Sequence, residues 1–405
     1  MANQSNEQLI SGVKKIMICT GVWRQPISTN ATLNHLYLAY CKLMLIGRII
    51  LWFLLTGELV RLVLARYPNH VIIESLAVVI TNWRMNLKFI VYEKTKIFQI
   101  FEVIVLKERE VWESRDVEKT RKYSKKVNFM QFGVLAMLIT DSLTVLLMEG
   151  MGMAGTLNIK NHNQANNDTL ESHMTLQVLL PLNRMNHLEW FFSTQLFWAW
   201  NAFTCNLSSL LIYVNILVYS VVQLEMLQIK FRNFVEPNFS LDAFTIEVQS
   251  KGAMLKKLIR EHQHIIRFIK DFNNKMKYIT MMEFIFSSLD MASVSISVIK
   301  VSSGSFFLNG IVGWQCFYVS LLITQLFLIG WTCNEVKVQS EAIGDAIFQS
   351  RWYLLNKDAK ILVAMAIARS RRHLEMTVGP FGPMTTNSIV LILKAAYSYV
   401  NIMRT

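Results

Sequence analysis

Seven stretches of about 20 mostly apolar residues, none broken by proline, constrain this chain more than any other feature. A helix of that length crosses roughly 30 Å of hydrocarbon with its backbone groups satisfied internally. The stretches are Leu36 to Gly57, Val71 to Tyr92, Val127 to Glu149, Phe191 to Val222, Met276 to Ile299, Ile311 to Cys333 and Met384 to Met403. The second is the weakest, because Arg84 and Lys88 interrupt it. The prolines at 26, 68, 181, 237, 380 and 383 all fall in connections, so uninterrupted helices are expected. The chain therefore reads as an all-α membrane protein with seven transmembrane helices. Residues 1–30 lack the apolar core and small-residue cleavage site of a secretory signal, so the N-terminus is expected to stay on the side where it is made.

A hydrophobic content of 53%, a charged content of 17% and a net charge of +13 separate two classes of partner once the charges are located. Thirty of the 41 lysines and arginines lie in the N-terminal segment, in the second, fourth and sixth connections between spans or, for Lys277, at the adjoining start of the fifth span. Only Arg61, Arg66, Lys160, Arg184, Lys300 and Arg404 lie on the other side. Positive segments stay cytoplasmic, so the N-terminus is expected inside and the C-terminus outside. The basic excess then marks cytoplasmic loops, and nucleic acid is not needed to explain it.

Those cytoplasmic connections carry helical patterning. Leu255, Leu258, Ile259, Ile265, Ile266, Ile269 and Phe272 recur at helical spacing, and Leu354, Leu355, Ile361, Leu362 and Met365 form a second apolar set before the last span. The expected organisation is a cytoplasmic N-terminal segment at 1–35, spans one to six with their connections at 36–333, anchor helices at 334–383 and a last span at 384–405. Outside, the long third-to-fourth connection contains a polar tract from Asn161 to Asn167, expected to be flexible. Asn167-Asp168-Thr169 within it is a glycosylation sequence.

Enzymatic chemistry has no sequence support, and neither a cofactor nor a metal is expected. Gly150-Met151-Gly152-Met153-Ala154-Gly155 matches a dinucleotide-binding pattern, but no strand precedes it, and its glycines read as a flexible exit from the third span. His262 and His264 read as surface residues, and the five cysteines form no C-x-x-C pair.

Ionisable groups within spans need a compensating interaction, since each costs about 2.5–3.5 kcal/mol near mid-bilayer. Snorkelling towards the interface accounts for Lys42, Arg84 and Lys88, whereas Asp290 and Lys394, both near mid-depth, are expected to pair or to meet water. Asp141 and Arg48 have no assigned partner. A mixture of aromatic and small polar residues in the outer halves of spans two to six suits a cavity for a small apolar ligand. Val78, Leu146, Trp200, Asn201, Phe203, Ser297 and Tyr318 are its expected lining. In the last span, Leu391, Ala395, Ser398, Ile402 and Thr405 share one helix face, while Lys394 and Tyr397 lie on another.

Ala342-Ile343, Ser350-Arg351-Trp352-Tyr353, Gly379-Pro380-Phe381 and Ile392 through Tyr399 resemble the C-terminal signature of insect odorant receptors, with Ala396 where a serine is common. The gustatory signature is absent, and 405 residues leave little room for the extended insertion of the coreceptor. The resemblance implies a ligand-tuned subunit in the plasma membrane of a sensory neuron dendrite. It implies an odorant-gated, non-selective cation channel, four subunits formed with the coreceptor, and a pore lined by each last span with an apolar gate near Ile402, which favours the Leu391, Ala395, Ser398, Ile402 and Thr405 face over that of Lys394 and Tyr397. A G-protein-coupled receptor is the alternative, disfavoured by the inverted charge bias and the lack of its D-R-Y and N-P-x-x-Y motifs. A secondary transporter would be expected to show internal repeats.

Overall fold

The computed structural model describes residues 11–28, 30–67, 69–101, 103–104, 108, 117–166, 187–234, 244–301 and 306–404. Its helices are α1 (Ser11–Cys19), α2 (Ala31–Leu64), α3 (Asn69–Lys94), α4 (Val117–Asn166), α5 (Leu188–Arg232), α6 (Phe244–Val301), α7 (Phe306–Phe348), α8 (Lys357–Ser370) and α9 (Thr386–Arg404). Each of the seven apolar stretches lies on its own long helix. Polar side chains cap the starts of α2 and α8: Asn30 Oδ1 accepts from Thr32 N at 3.1 Å, and Asn356 Oδ1 from Ala359 N at 3.0 Å.

Among the described residues, four helices are by length and composition apolar enough to cross a membrane: α2, α4, α5 and α7. The remaining three long helices carry charge in their apolar segments: Arg84 and Lys88 in α3, Glu283 and Asp290 in α6, Lys394 in α9. At 58 residues α6 is about 87 Å long, nearly three times the hydrocarbon thickness, so it continues well beyond any bilayer.

The centre of the bundle is α5. In its most apolar stretch 89% of residues are buried, against 28% in α2, because α5 is surrounded by α7, α4, α6, α1 and α3. Two regimes of packing meet along it. The four basic segments converge at one end into a single continuous core, which takes in Met17, Phe101, Tyr123, Phe231, Phe272, Ile343 and Met376. Towards the other end the apolar contacts divide into small separate clusters.

At the basic end the first amphipathic stripe is buried as its spacing requires: Leu255, Leu258, Ile265, Ile266, Ile269 and Phe272 face the core. The second stripe differs from expectation. Leu354 lies in a 3₁₀ turn (Trp352–Leu354), and α8 turns Ala359, Val363, Ala366 and Ser370 inwards while Ile361 and Met365 stay exposed. Small residues win because α7 approaches closely: a Cβ on Gly344 would lie 2.4 Å from Ser370 Oγ. Ion pairs between the elements complete this end, with Lys337 to Glu375 at 2.9 Å and Lys230 to Glu261 at 2.6 Å. The neighbouring Lys337 ammonium holds the Glu375 carboxyl below the usual carboxylate range.

His262, expected at the surface, is buried, and only His264 is exposed. Two positions apart on a helix, they face different ways, and His262 takes the inward direction. Burial, with Arg369 nearby, lowers His262 to about 4. Its unfolded counterpart titrates near 6.5, so the folded receptor binds fewer protons between those values. Stability is complete above about pH 6.5 and falls as pH drops towards 4, by about 3 kcal/mol at the limit. Detergent-solubilised receptor should therefore melt at lower temperature at pH 5 than at pH 7, and His262→Leu should flatten that slope. Parallel pH profiles for the two proteins would exclude His262 as the source.

Nor do the glycines at 150, 152 and 155 form a flexible exit, because α4 runs through them and through the asparagine tract as far as Asn166. Methionine, alanine and leucine between them favour helix, and Thr156 Oγ1 donates to Gly152 O at 2.9 Å. Asn167 lies outside the described residues.

Last comes the segment that aims α9. Val378 N donates to Gly382 O at 2.9 Å, and an isolated antiparallel bridge joins Thr377 to Pro383. Gly379 has φ +53°, and its N donates to Lys277 O on α6 at 3.0 Å. A Cβ there would lie 2.7 Å from Met281 Sδ, so both the backbone angle and the close approach require glycine. Asn273 Oδ1 accepts from Thr377 N at 2.9 Å. The turn is thus fixed to α6, and α9 leaves it in a set direction.

Candidate functional site: an aromatic contact beside a buried charge ladder

Away from the basic core, α5 and α7 meet through Phe203 and Tyr318, whose ring centroids lie 6.3 Å apart at 63°. Edge-to-face contact of this kind adds about 0.5–1.5 kcal/mol to area burial. Trp200, one turn from Phe203, donates from Nε1 to Ser142 Oγ on α4 at 3.2 Å. Val145 and Met148 of α4 complete this cluster with Leu196 and Ala199.

Three of the expected lining residues, Trp200, Phe203 and Tyr318, therefore come together. Val78 packs elsewhere, with Leu51, Leu55 and Trp198 between α2, α3 and α5. Asn201 turns towards Cys205, whose Sγ donates to its Oδ1 at 3.8 Å and lies 3.5 Å from Arg48 Nη1. Leu146 is 56% exposed. The side chain of Ser297 lies outside the described residues.

Behind Tyr318 is a set of charges whose arrangement corrects two expectations. Arg84 and Lys88 do not snorkel, for both are buried. Nor does Asp290 pair with Lys394, which is exposed. Arg84 Nη2 lies 3.5 Å from Asp290 Oδ2, and Arg84 Nη1 3.7 Å from Glu283 Oε1, while Lys88 is paired with Glu283. Thr81 Oγ1 donates to Asp290 Oδ1 at 3.3 Å, and Lys88 Nζ to Ser209 Oγ on α5 at 3.4 Å. Two cations and two carboxylates thus form a neutral ladder between α3 and α6. Burial in a poorly polarisable interior makes such pairing obligatory, because a lone ion there costs several kcal/mol.

Tyr318 lies within the electrostatic reach of Asp290, Arg84 and Asp141, so the aromatic contact adjoins the ladder. Thr81, Glu283 and Ser142 were not among the expected site residues. A signal for the ladder exists in the sequence: positions 81, 84 and 88 share one face of α3, and positions 283 and 290 share one face of α6.

On α9 burial is one-sided. Ile389 and Ala396 pack with Met291 of α6 and with Leu322 and Leu326 of α7. Opposite them Leu391, at 65% exposure, Ala395 and Ser398 are uncovered. Lys394 and Tyr397, expected on a separate face, are exposed too, and Lys394 borders the same arc: at 100° per residue it lies 40° from Ser398. The side chain of Ile402 and the whole of Thr405 lie outside the described residues.

Comparison with solved structures gives the insect olfactory receptor OR5 from Machilis hrabei in complex with eugenol, with TM-score 0.70 and 12% identity over 97% of this chain and 96% of that one. The same receptor in a second structure gives TM-score 0.65. At such identity the likeness establishes the fold. Among curated proteins, Odorant receptor 10 of Aedes albopictus is 27% identical over 192 residues, 47% of this chain and 48% of the relative. Odorant receptor Or2 of Anopheles gambiae is 28% identical over 152 residues, 38% of this chain and 39% of the relative. The chain thus matches about half, or less, of the length of these relatives. The family model described as 7tm Odorant receptor matches residues 69–397, from the start of α3 into α9. A helical membrane protein with this fold and this match belongs to the insect odorant receptor family.

Proposed function

We propose that this chain is the ligand-tuned subunit of an odorant-gated, non-selective cation channel. Its seven long helices cross the plasma membrane with the N-terminus inside and the C-terminus outside. It assembles with coreceptor subunits, four in all, around a pore lined by each α9. The observation that carries this reading is the one-sided burial of α9. A lysine at mid-span facing lipid is costly, whereas Lys394 beside the uncovered Ala395 and Ser398 suits a helix turned towards water and neighbouring subunits. Cyclic assembly brings several such faces around one axis. By their spacing Ile402 and Thr405 extend this face to its outer end.

A small volatile ligand binds among Trp200, Phe203 and Tyr318, where packing is divided into small clusters and a molecule displaces little. Val78, Leu146, Asn201 and Ser297 belong to the wider outer half of the same bundle. Apolar shape dominates recognition, with the Tyr318 hydroxyl as a polar reference. Ligand binding opens the channel only in so far as the open state binds the odorant more tightly than the closed one.

The test is current from cells expressing this chain with the coreceptor, exposed to a panel of volatiles. Phe203→Ala and Tyr318→Ala should each shift the effective odorant concentration by about ten-fold or more, since each removes on the order of 1.5–3 kcal/mol of apolar contact. Surface expression should be retained. Unchanged dose–response curves for both variants across the panel would remove the ligand from this site.

A further inference from the structure

At adjacent positions α6 carries its tie to α3 and its contact with α9. Asp290 faces Arg84 and Thr81 of α3. Met291, the next residue, packs with Ile389 and Ala396 of α9. Since a helix is stiff over one residue, what displaces Asp290 also displaces Met291. We propose that the Arg84–Asp290 pair is a positioning element for gating, which ties α6 to α3 so that ligand-driven movement in the outer bundle reaches α9. The proposal rests on the odorant-gated reading above.

The charges themselves support it. A buried ion pair adds little to stability beyond what apolar side chains of similar volume would give, because desolvation offsets most of the attraction. What the pair does provide is directional: a guanidinium and a carboxylate hold one register between two helices, whereas apolar surfaces slide. Arg84 also stands between two carboxylates, 3.5 Å from Asp290 and 3.7 Å from Glu283. The tie therefore selects α6's position along α3, and Tyr318, within electrostatic reach of both Arg84 and Asp290, places the proposed ligand site beside it.

The neutral double variant Arg84→Met with Asp290→Asn tests this, because it leaves Lys88 and Glu283 to each other and no unpaired charge. Full-length receptor is co-expressed with the coreceptor, and acetophenone, anisole, geraniol and hexanol serve as probes. Surface density should stay near the wild-type level and the rank order of the volatiles should be kept. The maximal evoked current per surface receptor should fall about ten-fold, a coupling loss of ordinary allosteric size. Asp290→Glu, which keeps the charge, should retain most of the response. A neutral pair that responds like wild type would overturn the proposal, as would its absence from the surface or an Asp290→Glu receptor equally impaired. Wild-type receptor silent to every volatile would overturn the odorant-gated reading itself, and this inference with it.

Discussion

Replacing Arg84 alone with methionine should remove most of the receptor from the cell surface. Asp290 would keep the Thr81 hydroxyl as its described side-chain partner, and Lys88 would be left with two carboxylates to neutralise, all of them buried between α3 and α6. Breaking a buried pair by deleting one partner costs about 3–5 kcal/mol, because the remaining ion has no water to return to. That is a large part of the stability of an ordinary domain. Surface biotinylation relative to total receptor measures the loss, and adding Asp290→Asn should recover it. Normal surface density of the single variant would mean that water or lipid headgroups reach the ladder.

The second large effect concerns the resting channel. Ile402→Ser, co-expressed with the coreceptor, should raise current without odorant by about five-fold or more, the consequence of roughly 1 kcal/mol lost from the closed state. A ring of apolar side chains at a narrow point excludes water, and a hydroxyl makes that point easier to wet. Position 402 follows Leu391, Ala395 and Ser398 around the same arc of α9, opposite the buried Ile389 and Ala396. Unchanged resting current from a normally assembled channel would place the constriction at another level, or in the partner subunits.

The two variants bear on different links of one chain of events. The Arg84 variant tests whether α6 is held to α3, and the Ile402 variant tests the proposed constriction near the end of α9. Between them stands the Met291 contact with Ile389 and Ala396, which joins α6 to α9. On the proposed reading, Phe203 and Tyr318 stand upstream of both.

By itself the sequence determined the helices, their apolar stretches and the end at which the basic connections gather. Helical periodicity and charge position are local properties, so Leu255 to Phe272 could be read as a buried stripe and the lysine-rich segments as neighbours without knowledge of any contact. The last third also carried its family in residues whose roles are local, such as Gly379, which alone fits a positive φ against Met281. Tertiary structure decided which faces meet. Thr81 and Asp290 are 209 residues apart; the charged faces of α3 and α6 are legible in the sequence but not that they meet, so Asp290 was expected to pair with Lys394 or to meet water. His262 looked like a surface residue because its burial comes from neighbouring elements that its own helix does not reveal. The apolar Ile361 and Met365 looked buried because periodicity cannot register that Gly344 admits only small side chains opposite. Trp200 and Phe203 joined Tyr318 while Asn201, on the same helix, turned towards Cys205, because the rotation of α5 among five neighbours is set by the packing of all of them together.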